Sequence, residues 1–207
     1  GLGGSGFPTY VNYQKDAELI LINGCECEPY LTTDQVVSPT KTDLLVKGIK
    51  ILMKAANANK AMVAIKKGKP HLHEALVAAF ENEENIEVVE VADVYPVGWE
   101  RVLIRKVLRK EYDKLPNEVG VVVNNIQTAI AAADALLNGN AVTRKTITVS
   151  GNAVARVGNF EVPVGTVAGS LIEYLGGYTE ENIILLAGGP MTSKGQMNDK
   201  FIIERQT

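Results

Sequence analysis

Short, continuously apolar runs that alternate with amphipathic stretches restrict the possible fold more than any other feature of this sequence. β-rich runs lie at 18–22, 61–65, 86–91 and 119–123. Helical patterns fill the gaps. Between Asp43 and Ala58, apolar residues recur at Leu45, Ile49, Leu52, Met53 and Ala56, the spacing of one helix face, and Thr42 is placed to cap it. Further helices are expected at 71–83, 99–111 and 128–137, the last closed by Asn138-Gly139, because glycine tolerates the left-handed turn that ends many helices. Strands alternating with helices of roughly 10–15 residues predict an α/β layer around a mostly parallel sheet. Burial on both faces explains why the strand runs are continuous rather than alternating.

After Ala141 the rhythm changes. The stretch "TRKTITVSGNAVARVGNFEVPVGTVAGSLIEYLGGY" reads as strand, Gly-Asn turn, strand and a short helix from near Thr166, with a further strand at 183–186. That order suggests a small β-grasp unit. The expected division is therefore 1–140 and 141–207. No internal repeat is present, which excludes a solenoid.

With 46% apolar and 22% charged residues the chain has the composition of a folded protein. A formal charge of −3 with no basic block argues against a nucleic-acid partner or a polybasic membrane patch. Apolar runs such as 19–22 and 183–187 are strand-sized, far short of the roughly 20 residues a membrane helix needs, so no direct membrane insertion is expected. The two cysteines, Cys25 and Cys27, are too few and too close to staple the fold, which suits a reducing, cytoplasmic setting. The sequence opens without Met or a targeting segment and is expected to be a piece of a longer protein.

Four stretches carry candidate chemistry. The first, "GLGGSGFPTY", has G-x-G-x-x-G spacing at Gly1, Gly3 and Gly6, with Gly4 between. Glycines let backbone N–H groups approach phosphates or flat rings because no Cβ intervenes. The usual dinucleotide reading also requires a preceding strand, which is absent from this sequence, so a tight surface turn is the competing explanation. The second, "LILINGCECEPYLTTD", ends a buried-looking strand in Asn23-Gly24 and then delivers Cys25, Glu26, Cys27 and Glu28. Ligands of open α/β sheets collect outside the carboxyl ends of strands. There Asn23 could hydrogen-bond a heterocycle edge and the glutamates a ribose, or the segment could be a solvated acidic loop.

The third stretch, "YPVGWERVLIRKVL", sets Tyr95, Gly98, Trp99 and Glu100 between a strand and a helix. The fourth, "VGVVVNNIQTAIAAADAL", ends a strand in Asn124-Asn125 and starts a helix close to Thr128. Taken singly, Trp99 reads as core filler and the asparagines as helix caps. Cys25 and Cys27 with His71 and His73 are off the C-x2-4-C pattern of structural zinc, so no metal site is expected. Two thiols cannot hold a four-iron cluster, and no G-x-S-x-G elbow supports serine hydrolysis.

In this order the stretches "GLGGSGFPT", "INGCECEPYLTTD", "YPVGWE" and "VVNN" with Thr128 resemble the NADH-binding flavoprotein subunit of respiratory complex I and, more nearly, the C subunit of Rnf-type ferredoxin:NAD oxidoreductases. The tail segments "VPVGT" and "GGPM" also resemble the Rnf C pattern, in which a soluble-ligand-binding β-grasp (SLBB) domain follows the flavin domain. The resemblance covers essentially the whole chain. It implies a Rossmann-like domain holding FMN, which takes hydride from NADH and passes single electrons to iron-sulfur clusters. The 4Fe-4S clusters would lie in a C-terminal part of the parent beyond this sequence, and the other subunits of an electron-transfer complex would be its partners. Location is then cytoplasmic, peripheral to a membrane complex through the parent.

Carried over by position, Gly1, Gly3 and Gly4 would line the flavin, and Phe7 would stack near the nicotinamide or adenine. Asn23 would contact the isoalloxazine or ribityl chain and Glu28 the nucleotide. Tyr95 and Gly98 would border the flavin beside Glu100. Asn124, Asn125 and Thr128 would close round the phosphate end. No side chain is expected to act as acid or base. Three positions depart from the family pattern: Asn12 replaces a lysine, Cys25 and Cys27 stand where complex I proteins carry aspartate and serine, and Trp99 replaces a glutamate or glycine. A binding or docking module that keeps the nucleotide fold is the alternative these departures motivate.

Overall fold

A computed structural model describes residues 1–193 and 195–205. The four apolar runs form β1 (Leu19–Gly24), β2 (Lys60–Lys66), β3 (Ile86–Val91) and β4 (Val121–Asn125), all parallel, in the order β3-β2-β1-β4. β1 is central, with Ile20 opposite Ala61 on one side and Val122 on the other. The period of two sends its side chains to two separate cores. Ile20 and Ile22 face helices α1 (Thr33–Thr40), α2 (Thr42–Ala55), α3 (Pro70–Ala79) and α5 (Ile126–Asn138) through Val37, Leu45, Ile49, Leu76 and Ile126. Leu19 and Leu21 meet Leu103 and Ile104 of α4 (Glu100–Leu108) on the opposite face. Each such aliphatic side chain contributes about 1.5–3 kcal/mol by leaving water, and double-sided burial explains the unbroken apolar runs.

The α2 and α5 helices cross unusually closely at Gly48. A Cβ there would collide with the Ala129 carbonyl, its carbon only 2.6 Å away. α5 ends as expected, with Gly139 in the left-handed region at φ 73°.

Local boundaries differ from the sequence expectation in instructive ways. Thr42 does not cap α2; it is the helix's first residue, because α1 runs up to Thr40 and leaves only Lys41 between them. α1 itself was not expected, since Thr33, Ser38 and Pro39 give it no apolar period. α5 begins at Ile126, with Asn125 as the true cap: its side chain accepts the Gln127 N–H at 2.9 Å.

After α5 the chain forms the antiparallel hairpin β5 (Arg144–Val149) and β6 (Gly158–Pro163), then α6 (Ala168–Tyr174), with Val149, Val162, Leu171, Ile172, Leu175 and Ile203 as a separate small core. The strand expected at 183–186 is reduced to β7 (Leu185–Leu186), which pairs with β8 (Gly195–Gln196) and not with β5 or β6. Ile203 takes the place beside the β6–α6 turn, exchanging backbone bonds with Gly165 and Thr166 at 2.8 Å each. Among the described residues no helix is long and apolar enough to cross a membrane.

Candidate functional site

Strand order reverses direction about β1: the chain builds outward through β2 and β3, then returns to place β4 on β1's other side. Neither crossover covers the gap beyond the carboxyl ends of β1 and β4, which is where open α/β sheets bind ligands. A crevice of about 1700 Å³ opens there. Gly1, Gly3, Gly4, Phe7, Asn23, Glu28, Gly98, Glu100, Asn124, Asn125 and Thr128 all line it. Tyr95 does not; its ring packs against Trp99, centroids 6.0 Å apart at 72°.

The glycine loop is anchored over the start of α5. The Leu2 N–H donates to Thr128 Oγ1 at 3.0 Å, and a Cβ on Gly3 would reach Asn125 Cβ at 3.4 Å. On Gly1 a Cβ would press to 2.7 Å from the Phe7 carbonyl oxygen, whereas Gly4 has open space on its bare side. The loop thus needs glycine both to fold back on itself and to present backbone rather than side chains.

Asn23 acts as a rivet between two loops. Its Nδ2 donates to the Gly98 carbonyl at 2.7 Å and its Oδ1 accepts the Cys25 N–H at 3.0 Å. Gly98 lies so close to Cys27 that a Cβ would stand 3.1 Å from Sγ. Burial pushes the Cys27 thiol up from its ordinary pKa, and the Cys25 thiol, fully inside, up to about 12. Neither is a ready nucleophile. Among the described residues no three His, Cys, Asp or Glu side chains gather as metal ligands. Asn124 donates to Tyr13 Oη at 2.6 Å.

A polar cluster that sequence reasoning missed lies beside these residues. Asp34, buried in α1, accepts from Gln127 Nε2 at 2.6 Å and Asn125 Nδ2 at 2.9 Å. Glu26 Oε1 accepts the Asp34 N–H at 3.0 Å and so supplies a side-chain acceptor to the N-terminus of α1, whose own Thr32 makes no side-chain cap. Burial raises both carboxyls above the ordinary range, Glu26 further through the charge on Asp34. Lys145 of β5, 8% exposed, lines the crevice too and donates to the Arg205 carbonyl at 2.6 Å. Its pKa falls to about 8 through burial, against the pull of Asp34. Glu26 and Asp34 both stand in the 19–34 stretch, but the bond from Gln127 to Asp34 and the attraction between Asp34 and Lys145 span about a hundred residues and leave no local pattern.

The β-grasp unit closes one flank. Glu28 points at it, accepting the Met191 N–H at 2.8 Å and Thr192 Oγ1 at 2.7 Å, and Gly189 has no room for a Cβ beside that carboxylate. Thr32 N–H and Thr33 Oγ1 bond Thr148 Oγ1 at 3.1 and 2.9 Å. The segment from Glu26 to Asp34 is therefore shared between the crevice and the β-grasp unit.

The sheet order, the glycine loop at the reversal point and the docked hairpin-helix unit define an α/β protein of the nucleotide-cofactor type. Residues 1–134 match the Nuo51 FMN-binding domain, and residues 146–194 match the SLBB domain. The chain belongs to the Nuo51 FMN-binding family of electron-transfer oxidoreductases. Its relatives include the C subunit of the proton-translocating ferredoxin:NAD(+) oxidoreductase complex of Clostridium ljungdahlii, 37% identical over 96% of this chain and 44% of that protein. The Na(+)-translocating counterpart of Acetobacterium woodii is 34% identical over 92% and 44%, and cobalamin reductase PduS of Salmonella typhimurium 36% over 92% and 42%. The chain thus spans less than half the length of these relatives. Among solved structures, an NAD+-reducing [NiFe]-hydrogenase in the H2-reduced state matches with a TM-score of 0.71 and 25% identity, covering 84% of this chain and 36% of that one.

Proposed function

We propose that this chain is the FMN-holding, NADH-oxidising part of an electron-transfer protein, with residues 1–140 as the flavin domain and 141–207 as an SLBB-type β-grasp domain. The observation that carries it is the set of side-chain-free backbone at Gly1, Gly3, Gly4 and Gly98 along a crevice at the β1/β4 reversal point. A flat ring system suits such a floor: the bare side of Gly4 is open, and the missing Cβ atoms of Gly1, Gly3 and Gly98 let their backbones lie close against Phe7, Asn125 and Cys27. Bound FMN would supply the redox chemistry, accepting hydride and releasing electrons singly; the protein need only place it.

The lining fits that group. Gly1, Gly3 and Gly4 would lie along the ring system, bordered by Asn23 and Gly98. Asn125 and Thr128, at the N-terminus of α5, stand where helix N–H groups favour an anion, so the phosphate belongs there despite Asn12 in place of a lysine. The four carboxylates in the lining are engaged or subdued: Glu28 accepts a β-grasp donor on each oxygen, Glu100 accepts from Tyr112 Oη at 2.7 Å, and Glu26 and Asp34 hold protons more readily than ordinary carboxylates. NADH would enter beside Phe7, and electrons would leave to iron-sulfur clusters carried by the rest of the parent or by partner subunits. That assembly is cytoplasmic and peripheral to a membrane complex.

The test is reconstitution. Saturable, one-to-one quenching of FMN fluorescence, followed by anaerobic bleaching of the flavin absorbance on adding NADH, is the expected result. A chain that quenches FMN but is never bleached by NADH would be a binding module instead, and one that binds no FMN would refute the reading.

A further inference from the structure

Trp99 is the chain's one tryptophan, and it is 51% exposed although it lines the crevice. An indole is the largest apolar side chain available, and packing it into the core is its usual use. Here the core contacts of the following helix are made by Leu103 and Ile104, and Trp99 contributes none. Its backbone is nonetheless firmly held: its N–H donates to the Pro96 carbonyl at 2.9 Å and its own carbonyl accepts the Leu103 N–H at 2.8 Å. Tyr95 buttresses the ring from one side. Among the described residues no acceptor takes the indole N–H. A rigidly mounted, half-bare aromatic ring at the rim of a cavity is placed to meet a ligand.

The open space does not end at the glycine loop: it runs past Trp99 to the β-grasp residues Thr148, Tyr178 and Ile184, about 1700 Å³ in all. Glycine backbone lines one part of it, whereas Trp99, Phe7 at 42% exposure and Tyr30 at 76% are exposed aromatic groups along the same space, and of these Trp99 adjoins Gly98. We propose that Trp99 is a stacking platform for a heteroaromatic ring of the incoming nicotinamide dinucleotide, and that it sets the affinity for that ligand without contributing to flavin binding. This rests on the functional reading above. Stacking tolerates any flat heterocycle, so the indole fixes how tightly the dinucleotide is held and leaves its hydrogen-bond recognition to other groups.

The experiment uses NAD+, which oxidised flavin cannot reduce, titrated calorimetrically into the FMN-saturated chain. Trp99→Ala is expected to weaken NAD+ binding roughly tenfold, about 1.4 kcal/mol, and Trp99→Phe to stay within about threefold of the parent, in line with the typical cost of losing one stacking ring. Both variants are expected to bind FMN within about twofold of the parent, read separately by flavin fluorescence. In the flavin-free chain, NAD+ should quench the Trp99 emission saturably. Unchanged NAD+ affinity in Trp99→Ala overturns the proposal, as does a loss of FMN affinity in its place, which would put the indole on the flavin. If the parent takes up no FMN, the functional reading fails by itself, and NAD+ quenching of the flavin-free chain still decides: a saturable response supports the platform, and none refutes it.

Discussion

Replacing Gly48 by alanine tests whether the α2/α5 crossing positions the crevice. An ideal Cβ there would stand 2.6 Å from the carbonyl carbon of Ala129 and closer still to its oxygen. Ordinary contact begins near 3.4 Å, so the helices must part by about 0.8 Å for the carbon alone, and overpacking of this kind costs about 1–3 kcal/mol. No rotamer change can relieve it, since the obstacle is backbone. Alanine's better helix propensity returns about 1 kcal/mol. The balance is a loss of up to about 2 kcal/mol, a fall in Tm of roughly 4–8 °C for a chain of this size. Thermal unfolding followed by circular dichroism measures it, with Gly195→Ala, which meets open space, as the control. Because α5 carries Asn125 and Thr128 at its first turn, FMN affinity should drop in the same variant. A Tm above the parent's would show that the crossing yields freely and would sink the argument.

Three other outcomes follow from the buried polar groups. Burial lifts the Glu26 carboxyl to about 7, so between the ordinary carboxylate range and that value the folded chain keeps a proton the unfolded chain has lost; stability falls as pH rises through this window, and Glu26→Gln should flatten the slope in urea unfolding at pH 5, 6 and 7.5. Asn125→Ala removes both the α5 cap and one donor to Asp34, and a loss of about 1–2 kcal/mol in chemical denaturation is expected from the cap alone. With Cys25 buried and Cys27 half-buried, a disulfide-exchange reagent should titrate one thiol slowly in the native chain and two after unfolding, FMN slowing the first; two fast thiols would contradict the packing against Gly98.

The sheet was legible because each strand is buried on both faces and so is written as an unbroken aliphatic run: 86–91 is read and observed with the same limits, and the others differ by one or two residues at each end. Thr33 to Thr40 could not be read as a helix, because a Glu26 carboxylate and the packing of Val37 hold it rather than any intrinsic pattern. The crevice lining was visible as polar residues at strand ends. Glu28's engagement with Met191 and Thr192 was not, since a separation of 163 positions between Glu28 and Met191 leaves nothing in the sequence to join them. Trp99 shows the reverse case: taken alone it reads as core filler, and only the structure reveals Leu103 and Ile104 filling that core instead.

The hydrogen bond from Leu2 to Thr128 spans 126 positions, and that separation has a consequence in time. β1, β2 and β3 can pair in succession as the chain lengthens, each new strand joining an edge already formed. β4 must instead return to the first edge, and closing so long a loop is slow. The glycine loop is synthesised well before α5 and has nothing to dock on until that helix exists. Ligand-binding competence should therefore appear as the last event of folding and be the first property lost when the β4 edge opens, which amide exchange at Leu2 and at the start of α5 would report together.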